Sequence, residues 1–127
     1  MATLKISDLS VGDWVRWKVY DKTYDVQVTG VTDRRIYGLH DGIEYSMLLT
    51  QIYPIPITAE ILEMNGFECV EEDVDIALYG TPSCSIFHTK GILRYRLNTP
   101  QASVACWNIH DLQHALRLAG VDKEINL

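Results

Sequence analysis

The chain has 127 residues, 47% hydrophobic and 22% charged, with a formal net charge of −6. The apolar share is too high for a disordered chain, and the length suits one domain or two small modules. No apolar run approaches the ~20 residues that span a bilayer, and the opening MATLKISDLSVGD lacks a basic stretch leading into an apolar one, so neither a membrane anchor nor a secretory leader is expected.

The N-terminal third reads as short strands. Asp13–Lys18 alternates, with Trp14, Arg16 and Lys18 on one side and Val15 and Trp17 on the other. Tyr24–Thr32 alternates again, setting Tyr24, Val26 and Val28 against Asp25, Gln27 and Thr29, until Gly30 breaks the period as a bulge would. Arg35–His40 and Ile43–Met47 flank Asp41-Gly42, a pair that accepts positive φ and suits a two-residue hairpin turn. Short strands, tight turns and no helix predict a small SH3-like β-barrel over residues 1–53, since closing a sheet removes its exposed edges.

Tyr53-Pro54-Ile55-Pro56-Ile57 cannot lie in a helix interior or a central strand, so it reads as a stiff connector. Thr58 is a good N-cap, Ile57 and Leu62 are spaced as a hydrophobic staple, and Gly66 with Phe67 forms a helix stop, which predicts a helix over Ala59–Asn65. Four strands follow, at Val74–Tyr79, Ser83–His88, Ile92–Leu97 and Ala102–Trp107. The turns between them, Gly80-Thr81-Pro82, Lys90-Gly91 and Asn98-Thr99-Pro100, predict an antiparallel meander. Leu93, Tyr95 and Leu97 alternate with Arg94 and Arg96, so one face is expected to be buried. Asn108 opens a last helix with an apolar stripe of Leu112, Ala115, Leu116 and Ala119, stopped by Gly120. The whole is an α+β chain: a barrel at 1–53, then a helix–meander–helix module at 54–127 that is expected to pack on the barrel and share its core.

The charge is uneven. Residues 1–58 hold six Lys/Arg against seven Asp/Glu, a net of −1, and residues 59–127 hold five against ten, a net of −5. Neither half offers the basic face that phosphate binding requires, so nucleic acid is not the expected partner. A local basic strand face at Lys90, Arg94 and Arg96 is the exception to test. The run Glu68, Glu71, Glu72, Asp73 and Asp75 lacks calcium-loop spacing and reads as a solvated turn and strand edge. Cys69, Cys84 and Cys106 stand 15 and 22 residues apart, matching no zinc or redox motif, and are expected to be reduced, buried thiols in a cytoplasmic protein.

Two constellations carry chemistry. His110-Asp111-Leu112-Gln113-His114 puts two histidines at i and i+4 on one helix face, where they can share a metal. The spacing is that of the H-E-x-x-H zinc peptidases with Asp for Glu, which makes a metal-dependent hydrolase the alternative function. Two features oppose it: Asp is one methylene shorter than Glu, and no spacing supplies a third ligand. The competing reading is a polar helix face of His110, Gln113, His114 and Arg117 turned away from the apolar stripe. The second constellation is aromatic: Trp14, Trp17, Tyr20 and Tyr24. Strand parity sends Trp14 and Trp17 to opposite faces, so at most one is simple core, and exposed aromatics often mark interfaces. There is no G-x-S-x-G and no phosphate loop.

The order Leu9-x-x-Gly12-Asp13-x-Val15, Ile52-Tyr53-Pro54-Ile55-Pro56-Ile57-Thr58, Glu60-Ile61-Leu62 with Asn65-Gly66-Phe67, and His110-Asp111-Leu112-Gln113-His114-Ala115-Leu116 resembles a group of small proteins of gut Bacteroidales and their phages and mobile elements. The I-x-P-I-P-[IL]-T segment and the C-terminal H-x-L-Q-x helix carry the likeness, which leaves out Glu68–Pro100. It brings context and no mechanism. Members of that group often carry Asn where this chain has His114, which implies that a two-histidine metal site is not a group feature. The expected function is therefore that of a non-enzymatic accessory protein without a cofactor. It would bind a protein partner through Trp14, Trp17 and Tyr24 or through His110, Gln113, His114 and Arg117, with self-association as a further option.

Overall fold

A computed structural model describes residues 4–81 and 84–127 and shows an α+β protein with two five-stranded antiparallel sheets and two α-helices among those residues. Contacts gather into two compact units, one ending at Ile55 and taking in Leu127, the other running Pro56–Asn126.

The first unit holds β1 (Trp14–Val19), β2 (Lys22–Val31), β3 (Arg35–His40), β4 (Ile43–Leu48) and β5 (Ile52–Tyr53), hydrogen-bonded in the order β4-β3-β2-β1-β5. Val15 lies opposite Val26 and Ile36 opposite Met47, so the alternation read in each strand becomes one buried face. Val15, Val26, Val28, Ile36, Met47 and Ile52 form that core together with Leu4 and Leu9. The Leu9-x-x-Gly12-Asp13 opening is a structural clasp. Gly12 takes φ +96° and donates to the Val28 carbonyl at 2.7 Å, while the buried Asp13 accepts from the Ser10 amide at 2.8 Å. The register slips between Val28 and Gly30, as a bulge requires. Asp41 and Gly42 both take positive φ, at 54° and 77°, in the predicted two-residue turn. The predicted closure of this sheet into a barrel is not seen: among the described residues β4 and β5 remain the ends of an open ladder.

The second unit begins with the connector. Proline has no N–H to give, and Pro56 makes only an isolated bridge with Asn108, beside an Ile57 amide bond to the Trp107 carbonyl at 3.3 Å. Helix α1 (Ala59–Met64) starts at Thr58, whose hydroxyl accepts from the Ile61 amide at 3.2 Å. It stops where Gly66 and Phe67 donate to the Glu63 and Leu62 carbonyls, at 3.1 and 2.9 Å. Helix α2 (Ile109–Leu118) ends the same way, with Gly120 and Val121 bonded to Arg117 and Leu116.

Between the helices a meander runs β6 (Cys69–Glu72), β7 (Ile76–Thr81), β8 (Cys84–Thr89), β9 (Tyr95–Asn98) and β10 (Ser103–Cys106), each paired to the next. Pro82 and Ser83, read as turn and strand start, lie outside the described residues. The acidic run lies, as expected, at a solvated strand edge: it contains the paired edge strand β6, whose residues are all exposed, and Glu71 and Glu72 blunt an edge that would otherwise recruit another strand. Two expectations are corrected. Leu93 is not core: it is 78% exposed ahead of β9, and the alternation holds only from Tyr95. Cys69 is exposed and Cys84 half-buried, leaving Cys106 as the one thiol of the three that is fully buried. Helix α2 packs on β9 and β10, burying Ile109, Leu112, Ala115 and Leu116 with Ile86, Leu97 and Cys106. A tail beyond α2 is held by Asn65, whose side chain donates to the Asn126 carbonyl at 2.9 Å and accepts from the Asn126 amide at 2.7 Å.

Candidate functional site

The aromatic residues gather at the β1–β2 hairpin. Val19 pairs with Lys22, so Tyr20 and Asp21 alone make the turn. Tyr20 is fully exposed and sits at φ +57°, a region that costs an ordinary L-residue roughly 1–2 kcal/mol. Glycine or asparagine would relieve that strain, so an aromatic held there, in water, points to use rather than stability.

Below the turn, Trp17 lies opposite Tyr24 on the same face as the core, and both are half-buried. The Trp17 ring stands 5.8 Å from Tyr24 at 40° and 5.2 Å from Tyr45 at 46°. Tyr24 meets the His40 ring edge-on at 5.0 Å. His40 Nδ1 is 3.0 Å from the Asp25 carbonyl; a carbonyl only accepts, so this nitrogen carries the proton. The Trp17 indole N–H donates to Gln51 Oε1 at 3.2 Å, and the same oxygen accepts from the Leu48 amide at 3.1 Å, which fixes the plane of the indole. Trp17, Val19, Tyr24 and Tyr45, with Tyr20, Asp21 and Lys22 from the end of the hairpin, line a cavity of about 260 Å³.

A broader cleft of about 560 Å³ is lined by Trp14, Arg16, Asp25 and Leu39 of the opposite face together with Tyr24 and His40, so Tyr24 borders both cavities. Arg16 Nε meets Asp25 Oδ1 at 3.1 Å, a half-exposed pair worth at most about 1 kcal/mol. Trp14 and Trp17 thus stand on opposite faces, as parity requires, with Tyr24 beside Trp17. Tyr45 and Gln51 were not singled out from the sequence. Tyr45 stands two residues before the buried Met47, a parity that sets it on the core face; nothing local shows that it reaches Trp17.

The α2 constellation differs from its expectation. His110 is 4% and Gln113 7% exposed, so half of the supposed solvated face is buried, because the covered arc of α2 is wider than the apolar stripe. His114 is half-buried and Arg117 exposed. The His110 and His114 rings meet edge-to-face at 5.9 Å. Asp111, the residue in the position of a peptidase general base, instead accepts from the Asn108 and Trp107 amides at 3.1 and 3.3 Å, satisfying the open N–H groups at the helix start. Among the described residues no group of three or more His, Cys, Asp or Glu side chains is placed to hold a metal ion. No helix among them is long and apolar enough to cross a membrane. In the basic candidate set, Lys90 pairs with Glu72 at 3.0 Å and Arg96 donates to Ser103 Oγ at 3.2 Å, which occupies two of its three cations.

Comparison with known proteins returns nothing: no family model, no curated sequence and no solved structure matches the chain.

Proposed function

We propose that this is a non-enzymatic interaction protein whose N-terminal unit docks a protein partner through the pocket at the β1–β2 hairpin. The observation that carries the reading is the cluster of Trp17, Tyr24 and Tyr45 around a cavity that the exposed Tyr20 also lines, from a strained turn. Half-buried aromatics supply large contact area at small entropic cost, which is why interfaces are built around them. In the finer reading, this unit is an SH3-like open barrel. Support comes from curvature: β1 and β4 are three steps apart in the ladder, about 14 Å in a flat sheet, yet the rings of Trp17 and Tyr45 are 5.2 Å apart. The resemblance to small Bacteroidales proteins supports a role as an accessory factor of a phage or mobile element, and three free thiols suit a reducing cytoplasm.

The test is capture on the immobilised full chain from a lysate of the native host, run beside Tyr20→Ser and Tyr24→Leu. A partner retained by the wild type and lost about ten-fold, or ~1.4 kcal/mol, on both variants supports the reading. Equal retention by variants with unchanged thermal melts overturns it.

A further inference from the structure

The outer edge of β4 is open and self-complementary. β4 follows β3 through a two-residue turn, so His40 and Ile43 form a hydrogen-bonded pair, and every second pair along the hairpin repeats it. Ile43, Tyr45 and Met47 therefore bond to β3, while the N–H and C=O groups of Glu44, Ser46 and Leu48 point outward from the sheet. Gln51 Oε1 takes the Leu48 amide at 3.1 Å. That leaves a strip between the Asp41-Gly42 turn and Leu48, with Tyr45 at its midpoint and outward groups at Glu44 and Ser46. Among its described residues β4 has no proline and no bulge. Its one charged residue is Glu44, whose carboxylate accepts from Thr29 Oγ1 at 2.9 Å. Thr29 lies on β2, so that carboxylate leans back over β3 and away from the edge. Ile43 and Leu48 stand exposed at the two ends of the strip. The opposite end of this sheet differs: β5 is two residues long and runs into Pro54.

We infer that the occupant of this edge is β4 of a second copy of the chain, antiparallel, joining two five-stranded sheets into one. This goes beyond the docking role and does not depend on it. One register fits. Centred on Glu44, the pair would set two like charges directly opposite each other. Centred on Ser46, it would need the Leu48 amide that Gln51 already holds. Shifted by a single residue, it would set the core face of one copy beside the wet face of the other. Centred on Tyr45, Glu44 of each copy lies opposite Ser46 of the other, and each such pair exchanges two backbone bonds. The core faces then run on into one another, with Tyr45 meeting its counterpart across the axis and the exposed Ile43 placed beside Met47. So short a ladder buries less than the roughly 1,200 Å² of stable complexes, so the dimer is weak, with a dissociation constant of about 0.1–1 mM.

Sedimentation equilibrium and ¹H–¹⁵N spectra of the full chain between about 0.02 and 2 mM test this. The expected result is a mass rising toward that of a dimer, with concentration-dependent shifts centred on the amides of Glu44 and Ser46. Ser46→Glu puts a carboxylate opposite Glu44 in both symmetric pairs and should weaken the dimer about five-fold; Ser46→Lys puts an ammonium there and should tighten it by a similar factor. Met64→Lys makes a like change of charge at an exposed site on α1 and should leave the dissociation constant within about two-fold. Ser46→Pro removes an outward N–H that β3 does not use and should abolish the dimer. Should that variant fail to fold, the opposite responses of Ser46→Glu and Ser46→Lys decide. A chain still monomeric at about 2 mM overturns the inference, as does a dimer that a folded Ser46→Pro leaves intact or that Ser46→Glu and Ser46→Lys leave unmoved or move in the same direction.

Discussion

The two sheets have the same number of strands and complete their cores differently. The C-terminal sheet is covered by α2, whose Ile109, Leu112, Ala115 and Leu116 are buried. Among the described residues the N-terminal sheet has no α-helix of its own; its buried face runs from Val15, Val26 and Met47 into the half-buried rings of Trp17, Tyr24 and Tyr45. A sheet face given over to a helix is finished as a core. A face that ends in aromatic rings around a cavity keeps apolar surface for something else to cover. Charge follows the same division, with a net of −1 in the first 58 residues and −5 in the remainder.

Glycine substitutions give the largest contrast. A methyl at Gly80 meets the Cys84 carbonyl oxygen at 2.5 Å with φ at +94°, so backbone must move. At Gly38 the nearest atom is the flexible end of Met47, at 2.9 Å. Gly80→Ala is expected to cost about 3 kcal/mol or more and Gly38→Ala about 1–2 kcal/mol, in urea titration of the full chain. Equal costs would show that the C-terminal sheet yields as easily as the N-terminal one.

Alkaline pH probes the covered core next. Burial, and secondarily the Asp111 carboxylate, push the Cys106 thiol up to about 12, and burial also raises Cys84, Tyr79 and Tyr95. A thiol whose folded pKa is raised holds its proton while the unfolded chain ionises. Its stabilisation is therefore complete below the unfolded pKa of about 8.5 and declines as pH rises toward 12, by up to ~1.4 kcal/mol per pH unit. Melting curves between pH 8 and 10.5 should fall accordingly, and a Cys106→Ala variant should show a shallower fall. In the same solutions Cys69 should react with a thiol reagent at once and Cys106 only on unfolding.

Smaller effects come from single caps and turns. Thr58→Ala removes the acceptor for the Ile61 amide and should cost about 1 kcal/mol in a thermal melt. Tyr20→Gly should stabilise the chain by roughly 0.5–1 kcal/mol by relieving its positive φ, while weakening partner capture. Gain of stability with capture unchanged would make the N-terminal hairpin as structural as the C-terminal sheet.

What was legible in the sequence is what local backbone chemistry decides. Thr58, Gly66 and Gly120 act within a few residues of themselves, and so do the Asp41-Gly42 turn and the Gly30 break. The faces of Trp14 and Trp17 followed from a period of two. What was missed depends on residues distant in the chain. Leu93 has the right parity but β9 begins only at Tyr95, and His110 and Gln113 are covered by surroundings that helical spacing does not encode. The candidate pocket divides the same way: Trp17 and Tyr24 are strand neighbours, whereas Tyr45 reaches them only through the curvature of the sheet.

The pairing of Asn65 with Asn126 sets an order of events during synthesis. The two residues are 61 positions apart, and the Asn65 side chain also donates to the Ile61 carbonyl at 2.9 Å, at the end of α1. Helix α1 and its local stop are therefore made early, but the Asn65 side chain gains its two bonds to Asn126 only once residue 126 has left the ribosome, several seconds later at roughly 5–20 residues per second. During that interval the N-terminal sheet already has every strand it needs, so the aromatic pocket can exist before the other half of the chain has settled.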